Sequence, residues 1–245
     1  MKTIGLLGGM TWESSLEYYR ILNETIKKKL GGFHSAKCVL ISLDFHDIEI
    51  LHRTKKWDDA TKIMVEAGNK LKEAGADFIV ICTNFMHKMA EDVRRTTGLP
   101  LLHIADVTAA QVKARGLKKV GLLGNIFTME EDFYIKRLSD RHGLQVIVPN
   151  KKDRDAINRA VYDELTPATF SEKTMSNFRD VISRLVENGA EGVILGCTEI
   201  PLFIKQKDFD VPLFDTTTIH AQAAAAYALG EFEVENESGR VTKER

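Results

Sequence analysis

The segment AGADFIVICT at 74–83 returns as NGAEGVILGC at 188–197, a displacement of 114 positions. Each copy has a Gly-Ala turn, an acidic residue, a short apolar run, and a small polar or sulfur-bearing side chain where the run stops. A turn followed by an unbroken apolar run of this length reads as a strand buried on both faces, the kind parallel sheets use. Two more blocks recur in the same order: IGLLG at 4–8 as VGLLG at 120–124, and LPLL at 99–102 as VPLF at 211–214. Three matches in order, at nearly constant displacement, describe two copies of one architecture.

Working outward, strands are expected at 3–7, 36–43, 78–82, 101–104, 119–123, 145–148, 192–195 and 211–214. Segments of helical period alternate with them at 14–30, 57–74, 86–97, 107–115, 130–142, 155–165, 171–188 and 217–229. The alternation predicts an α/β fold of two similar Rossmann-like halves related by a pseudo-twofold axis, with the active site in the cleft between them. The first half is expected at 1–115, with the helix at 217–229 packing on it. The second half is expected at 116–216, and a polar, frayed tail at 231–245.

Composition narrows the function classes. The 245 residues are 44% hydrophobic and 28% charged, which supplies a substantial core and excludes a disordered chain. A formal net charge of −1 leaves no basic excess for a nucleic acid or an anionic membrane. No run approaches the ~18 apolar residues of a membrane span. Three cysteines, an odd number, and an opening unlike a signal peptide point to a reduced, cytoplasmic protein.

The repeat pairs Thr83 with Cys197, each where a strand ends and a helix is expected to begin. A helix amino terminus presents free N–H groups and a positive dipole end, which suits a carboxylate and lowers a thiol pKa. Cys197 is therefore expected to be partly thiolate. Two proton-transfer groups on opposite faces of one carbon could invert a stereocentre.

The residues also resemble a known family. GLLGGMTWES at 5–14, LGGFHSA at 30–36, DFHDIE at 44–49, CTNFMH at 82–87, LPLLHIAD at 99–106 and GCTEI at 196–200 look like motifs of the cofactor-independent aspartate/glutamate racemases. The likeness runs to about Gly230. Family members usually carry a cysteine in both central motifs; here Thr83 replaces the first, as in the branch specific for L-aspartate and L-glutamate. The resemblance implies Cys197 as base, Thr83 as proton donor, no cofactor, no metal, and a dicarboxylic amino acid as substrate. It also implies that Met10 lines the substrate pocket. Backbone amides of Asn84, Phe85, Thr198 and Glu199 are the candidates for holding the α-carboxylate, where carbanion charge collects.

Other residues carry two readings each. Cys82 should face the core because strand side chains alternate, the alternative being a one-residue slip at the strand end that lets it replace the missing thiol; Cys38 sits in an apolar run as a core residue. His87 either contacts the substrate's distal carboxylate or braces the helix start. His52, Arg53 and Lys55 lie where the family closes over its substrate; a cation there suits a dicarboxylate, a solvated loop is the alternative. Where some aspartate racemases carry a lysine, this chain has Thr166 and Pro167. Glu199 is expected to hold its loop in shape. Dinucleotide, Walker, metal-ligand and serine-elbow patterns are absent. Arylmalonate decarboxylase or maleate isomerase chemistry, and a dicarboxylate-binding protein without activity, are the alternatives. A second copy of the chain is a candidate partner, the oligomeric state being left open.

Overall fold

The computed structural model describes residues 1–166, 169 and 171–232. Most of the expected tail, and Pro167, lie outside them. Among the described residues two four-stranded parallel sheets are present. The first contains β1 (Ile4–Gly8), β2 (Cys38–Ser42), β3 (Phe78–Ile81) and β4 (Leu101–Leu102), in the order β2-β1-β3-β4. The second contains β5 (Lys119–Gly124), β6 (Gln145–Ile147), β7 (Gly192–Gly196) and β8 (Leu213–Asp215), in the order β6-β5-β7-β8. The wiring is the same in both. So is the register: Ile4 pairs with Phe78 in the first sheet, and its repeat counterpart Val120 pairs with Gly192 in the second.

The central strands β1, β3 and β7 are buried at every position, which is why they read as continuous apolar runs. The Gly-Ala turn before β3 and before β7 needs a left-handed residue, and Gly75 and Gly189 supply it at φ 87° and 90°. Gly9 follows β1 at φ 86°, and a Cβ there would lie 2.1 Å from the Leu43 carbonyl oxygen. Cys38 departs from expectation: it begins the edge strand β2 and is only half-buried, because an edge strand has a neighbour on one side alone.

The helices are α1 (Trp12–Leu30), α2 (Phe45–Arg53), α3 (Trp57–Glu73), α4 (Ala90–Thr97), α5 (Ile104–Ala114), α6 (Ile126–Glu130), α7 (Asp132–Lys136), α8 (Lys151–Ala160), α9 (Glu172–Glu187), α10 (Ile200–Phe203) and α11 (Thr216–Ala228). Helix α2 stands where the sequence reading has a charged stretch. Its cap explains it: the Asp44 side chain accepts from the His46 N–H, and Ile48 and His52 turn inward. The expected helix at 130–142 is broken, α7 running into a π-helical turn at Arg137–Arg141. The expected helix at 86–97 starts late. A 3-10 turn at Phe85–Met89 precedes α4, so no regular helix follows Thr83 directly.

The chain forms two compact units. The first comprises 1–82, 89–103 and the described residues from His220 onward; the second comprises 83–88 and 104–219. Within the first, Phe78 meets Tyr227 edge-on with ring centroids 4.7 Å apart. There too the buried Tyr18 hydroxyl donates to His220 Nδ1 at 2.7 Å, and His220 Nε2 donates to the Leu102 carbonyl at 2.8 Å. In the second, Val193 and Leu195 pack with Phe178, Val181 and Ile182 of α9, while Ile194 packs with Ile104, Val112 and Tyr134. Alternate residues of β7 thus serve two cores, each large apolar side chain contributing roughly 1.5–3 kcal/mol.

Candidate active site

Thr83 and Cys197 stand at equivalent places, just past the carboxyl ends of β3 and β7, the third strands of their repeats. Both belong to the second unit, because the Thr83–Lys88 segment groups there although β3 belongs to the first. Thr83 is half-buried. Its segment is held by hydrogen bonds of His87 and Asn84. The His87 N–H donates to the Asn84 carbonyl at 3.1 Å. The His87 ring meets the Thr83 carbonyl at 2.8 Å through Nδ1, and its Nε2 accepts from the Ile104 N–H at 3.2 Å. The buried Asn84 side chain accepts from Tyr134 Oη at 3.0 Å and donates to Thr216 Oγ1 at 2.9 Å. Of the two readings of His87, the brace is the one this geometry matches.

Phe85 is buried and stacks on Phe127, centroids 4.7 Å apart and planes 15° off parallel. Lys88 pairs with Glu131.

Cys197 follows β7 directly. Its Sγ donates to Glu199 Oε2 at 2.9 Å, and the Thr198 hydroxyl donates to the same oxygen at 3.0 Å. Thr198 and Glu199 are buried. The expectation of a lowered thiol pKa is overturned. Burial pushes the Cys197 thiol well above its ordinary range, and the negative Glu199 carboxylate pushes it the same way. The backbone N–H groups of Glu199 and Thr198 oppose this more weakly. The helix start does not offset the burial: α10 has 4 residues, too short for an appreciable dipole, and a carboxylate sits where the positive end was expected. Cys197 rests as a thiol. Glu199 accepts hydrogen bonds from both the Cys197 thiol and the Thr198 hydroxyl, which ties its side chain to the loop that carries them.

Cys82 is buried, and burial raises its pKa further from neutrality, as expected of a strand residue facing the core. Met10 is buried in the first unit, on a loop where the Gly9 N–H donates to Ser15 Oγ at 2.8 Å. His52 also belongs to the first unit. Burial lowers its pKa to about 4, so it is neutral at neutral pH and is not the cation considered for this stretch. It lies against Trp57, ring centroids 5.8 Å apart. Arg53 is exposed and reaches Glu49 at 3.9 Å.

Thr216 and Tyr134 went unnoticed in the sequence. Thr216 is fully buried, and its hydroxyl donates to the Leu195 carbonyl at 2.8 Å while it accepts from Asn84. The displacement of 112 that relates LPLL to VPLF makes Thr216 the counterpart of Ile104, the residue His87 grips. That correspondence was the one available signal. Among the described residues, no three histidine, cysteine, aspartate or glutamate side chains stand together as metal ligands, and no helix is long and apolar enough to cross a membrane. A surface cavity of about 430 Å³ lies along α9 beside Asp208, Phe209 and Asp210, and holds none of the candidate residues.

The chain is similar to proteins of known structure and activity over most of its length. A candidate Asp/Glu racemase from Yersinia pestis has a crystal structure with a TM-score of 0.89 and 52% identity, covering 94% of this chain and 100% of that one. An aspartate racemase homologue from Pyrococcus horikoshii OT3 gives a TM-score of 0.81 and 37% identity, again over 94% and 100%. The broad-specificity amino-acid racemase RacX of Bacillus subtilis (strain 168) is 23% identical over 171 residues, 69% of this chain and 72% of that protein. Residues 7–224 match the family described as Asp/Glu/hydantoin racemase, and over that span the chain belongs to this family of isomerases.

Proposed function

We propose that the protein is a cofactor-independent racemase that interconverts L- and D-aspartate, L- and D-glutamate, or both, using Cys197 and Thr83. The observation that carries this reading is the 2.9 Å contact between Cys197 Sγ and Glu199 Oε2, at the strand end equivalent to the one bearing Thr83. A thiol already donating to a carboxylate can pass its proton there as it takes up the α-proton of the L-substrate. Thr83 then donates its hydroxyl proton to the opposite face of the carbanion, giving the D-form. The balance closes when the proton on Glu199 returns to the Thr83 alkoxide through water. Charge that builds on the α-carboxylate is met by the backbone N–H groups of Asn84, Phe85, Thr198 and Glu199.

An alcohol is far less acidic than a thiol and stays un-ionised near neutrality, so no alkoxide stands ready as base and Thr83 enters the reaction as donor. L-substrates therefore meet the base that forms more readily. The assignment of Met10 to the substrate pocket rests on the family resemblance. The three cysteines are free thiols, which suits a reducing compartment such as the cytoplasm.

The test is incubation with L- and D-aspartate and L- and D-glutamate in D2O, following the α-proton by NMR and the enantiomer by chiral chromatography. Deuterium at the α-carbon together with inversion is the expected result. Binding without exchange would replace the racemase reading with that of a dicarboxylate-binding protein.

A further inference from the structure

We infer that His87 is a positioning residue for Thr83, acting through a single neutral tautomer of its ring. This rests on the reading of Thr83 as the proton donor and adds what holds that donor in place. The ring is buried, and both its nitrogens are committed to backbone groups whose chemistry leaves no choice. The Thr83 carbonyl oxygen, 2.8 Å from Nδ1, can only accept, so Nδ1 carries the hydrogen. The Ile104 N–H, 3.2 Å from Nε2, can only donate, so Nε2 is bare.

The need for such a clamp follows from the local fold. No regular helix begins at Thr83: the chain bends, makes a 3-10 turn at Phe85–Met89, and enters α4 only at Ala90. The backbone of Thr83 thus lacks the hydrogen-bonded first turn that would otherwise set its direction. His87 replaces it, spanning from the Thr83 carbonyl to the first residue of α5. A hydroxyl that must meet one face of a planar carbanion is sensitive to displacements below an ångström. Cys197 is held differently, by Glu199 two residues on, so loss of His87 should damage one face of the reaction and spare the other.

Two substitutions separate the two bonds. His87→Asn places an amide donor near the position of Nδ1 and keeps the link to the Thr83 carbonyl. His87→Gln places an amide oxygen near Nε2 and keeps the link to Ile104 only. The readout is the ratio of inversion to α-deuterium exchange with retention, starting from the L-substrate in D2O. Exchange with retention needs Cys197 alone, whereas inversion needs Thr83 as well. In His87→Gln the ratio should fall about ten-fold or more, and in His87→Asn substantially less.

The wild-type ring is tested independently of activity by 15N and 13C NMR. The expected spectrum is that of a neutral imidazole with its hydrogen on Nδ1. An Nε2–H or doubly protonated ring at neutral pH would overturn the inference even if both variants failed to fold. Equal ratios in the two variants would overturn it too. A wild type that exchanges no α-proton would instead sink the racemase reading, and the ring tautomer would still decide whether the clamp exists.

Discussion

Asn84 Nδ2 donates to Thr216 Oγ1 at 2.9 Å across 132 positions of sequence, and the Thr216 hydroxyl donates onward to the Leu195 carbonyl at 2.8 Å. Leu195 lies two residues before Cys197 on β7. The residue beside one proposed proton-transfer group is thereby tied to the strand that leads into the other. Both bonds are buried, where a polar group that loses its partner is costly.

Breaking this tie should be visible as lost stability. Thr216→Val keeps the shape of the side chain but removes the hydroxyl that serves Asn84 and Leu195. A loss of about 1–3 kcal/mol is expected, more if both former partners stay dry. Urea unfolding followed by circular dichroism measures it, and an unchanged midpoint would show that the chain of bonds is not stabilising.

Cys197→Ser should remove α-proton exchange while leaving the fold intact. A serine hydroxyl in the same place is too weak an acid to supply a base near neutrality. Loss of a positioned proton-transfer group costs about 10²–10⁴-fold. Exchange at the wild-type rate in this variant would disprove the role of Cys197.

Glu199→Gln tests the thiol–carboxylate pair with two readouts of opposite sign. Burial and the Glu199 charge both hold the Cys197 pKa up, so the wild-type thiol is protonated at neutral pH. Removing the charge leaves burial opposed by the backbone N–H groups of Thr198 and Glu199, and the pKa should fall. Alkylation of Cys197 by iodoacetamide at a fixed, mildly alkaline pH should therefore speed up. Racemisation should slow by about 10²–10⁴-fold because the proton acceptor is gone. Alkylation that slows, or racemisation that is unaffected, would remove Glu199 from the mechanism.

With Thr83 as the proposed donor, the two enantiomers should be unequal in kinetics, though their equilibrium constant in solution stays at unity. Initial α-exchange should be faster from the L-form than from the D-form, and Thr83→Cys should raise the D-side rate more than the L-side rate. Early-time NMR in D2O on each enantiomer separately decides this. Equal initial rates in the wild type, for aspartate and glutamate alike, would refute the asymmetry.

His52 gives the protein an acid-sensitive element in the first unit. Burial lowers its pKa from 6.5 to about 4, so between those values the unfolded chain binds a proton that the folded chain does not. That contribution to stability is present above the unfolded value and is lost as pH falls through this window. His52→Phe should flatten the pH dependence there. Urea midpoints between pH 7 and 4, read by tryptophan fluorescence because Trp57 adjoins His52, provide the check. An unaltered slope would place the acid sensitivity elsewhere.

The repeat, the eight strands and the placement of Thr83 and Cys197 at equivalent strand ends were all legible from residue order. Strand ends are set locally, by where an apolar run meets a turn, and a duplicated architecture leaves its spacing behind. Helix α2 and the breaks near Phe85–Met89 and Arg137–Arg141 were less legible, because caps and irregular turns depend on a few hydrogen bonds that periodicity does not record.

The sequence alone thus determined the two-fold α/β plan and the pair of residues on which the proposed chemistry turns. Tertiary structure decided their chemical state: Cys197 as a thiol, the His87 ring held between Thr83 and Ile104, and Thr216 as the anchor for Asn84. Apolar patterning acts between near neighbours in the chain, whereas desolvation and buried hydrogen bonds depend on which distant groups the fold brings to a side chain.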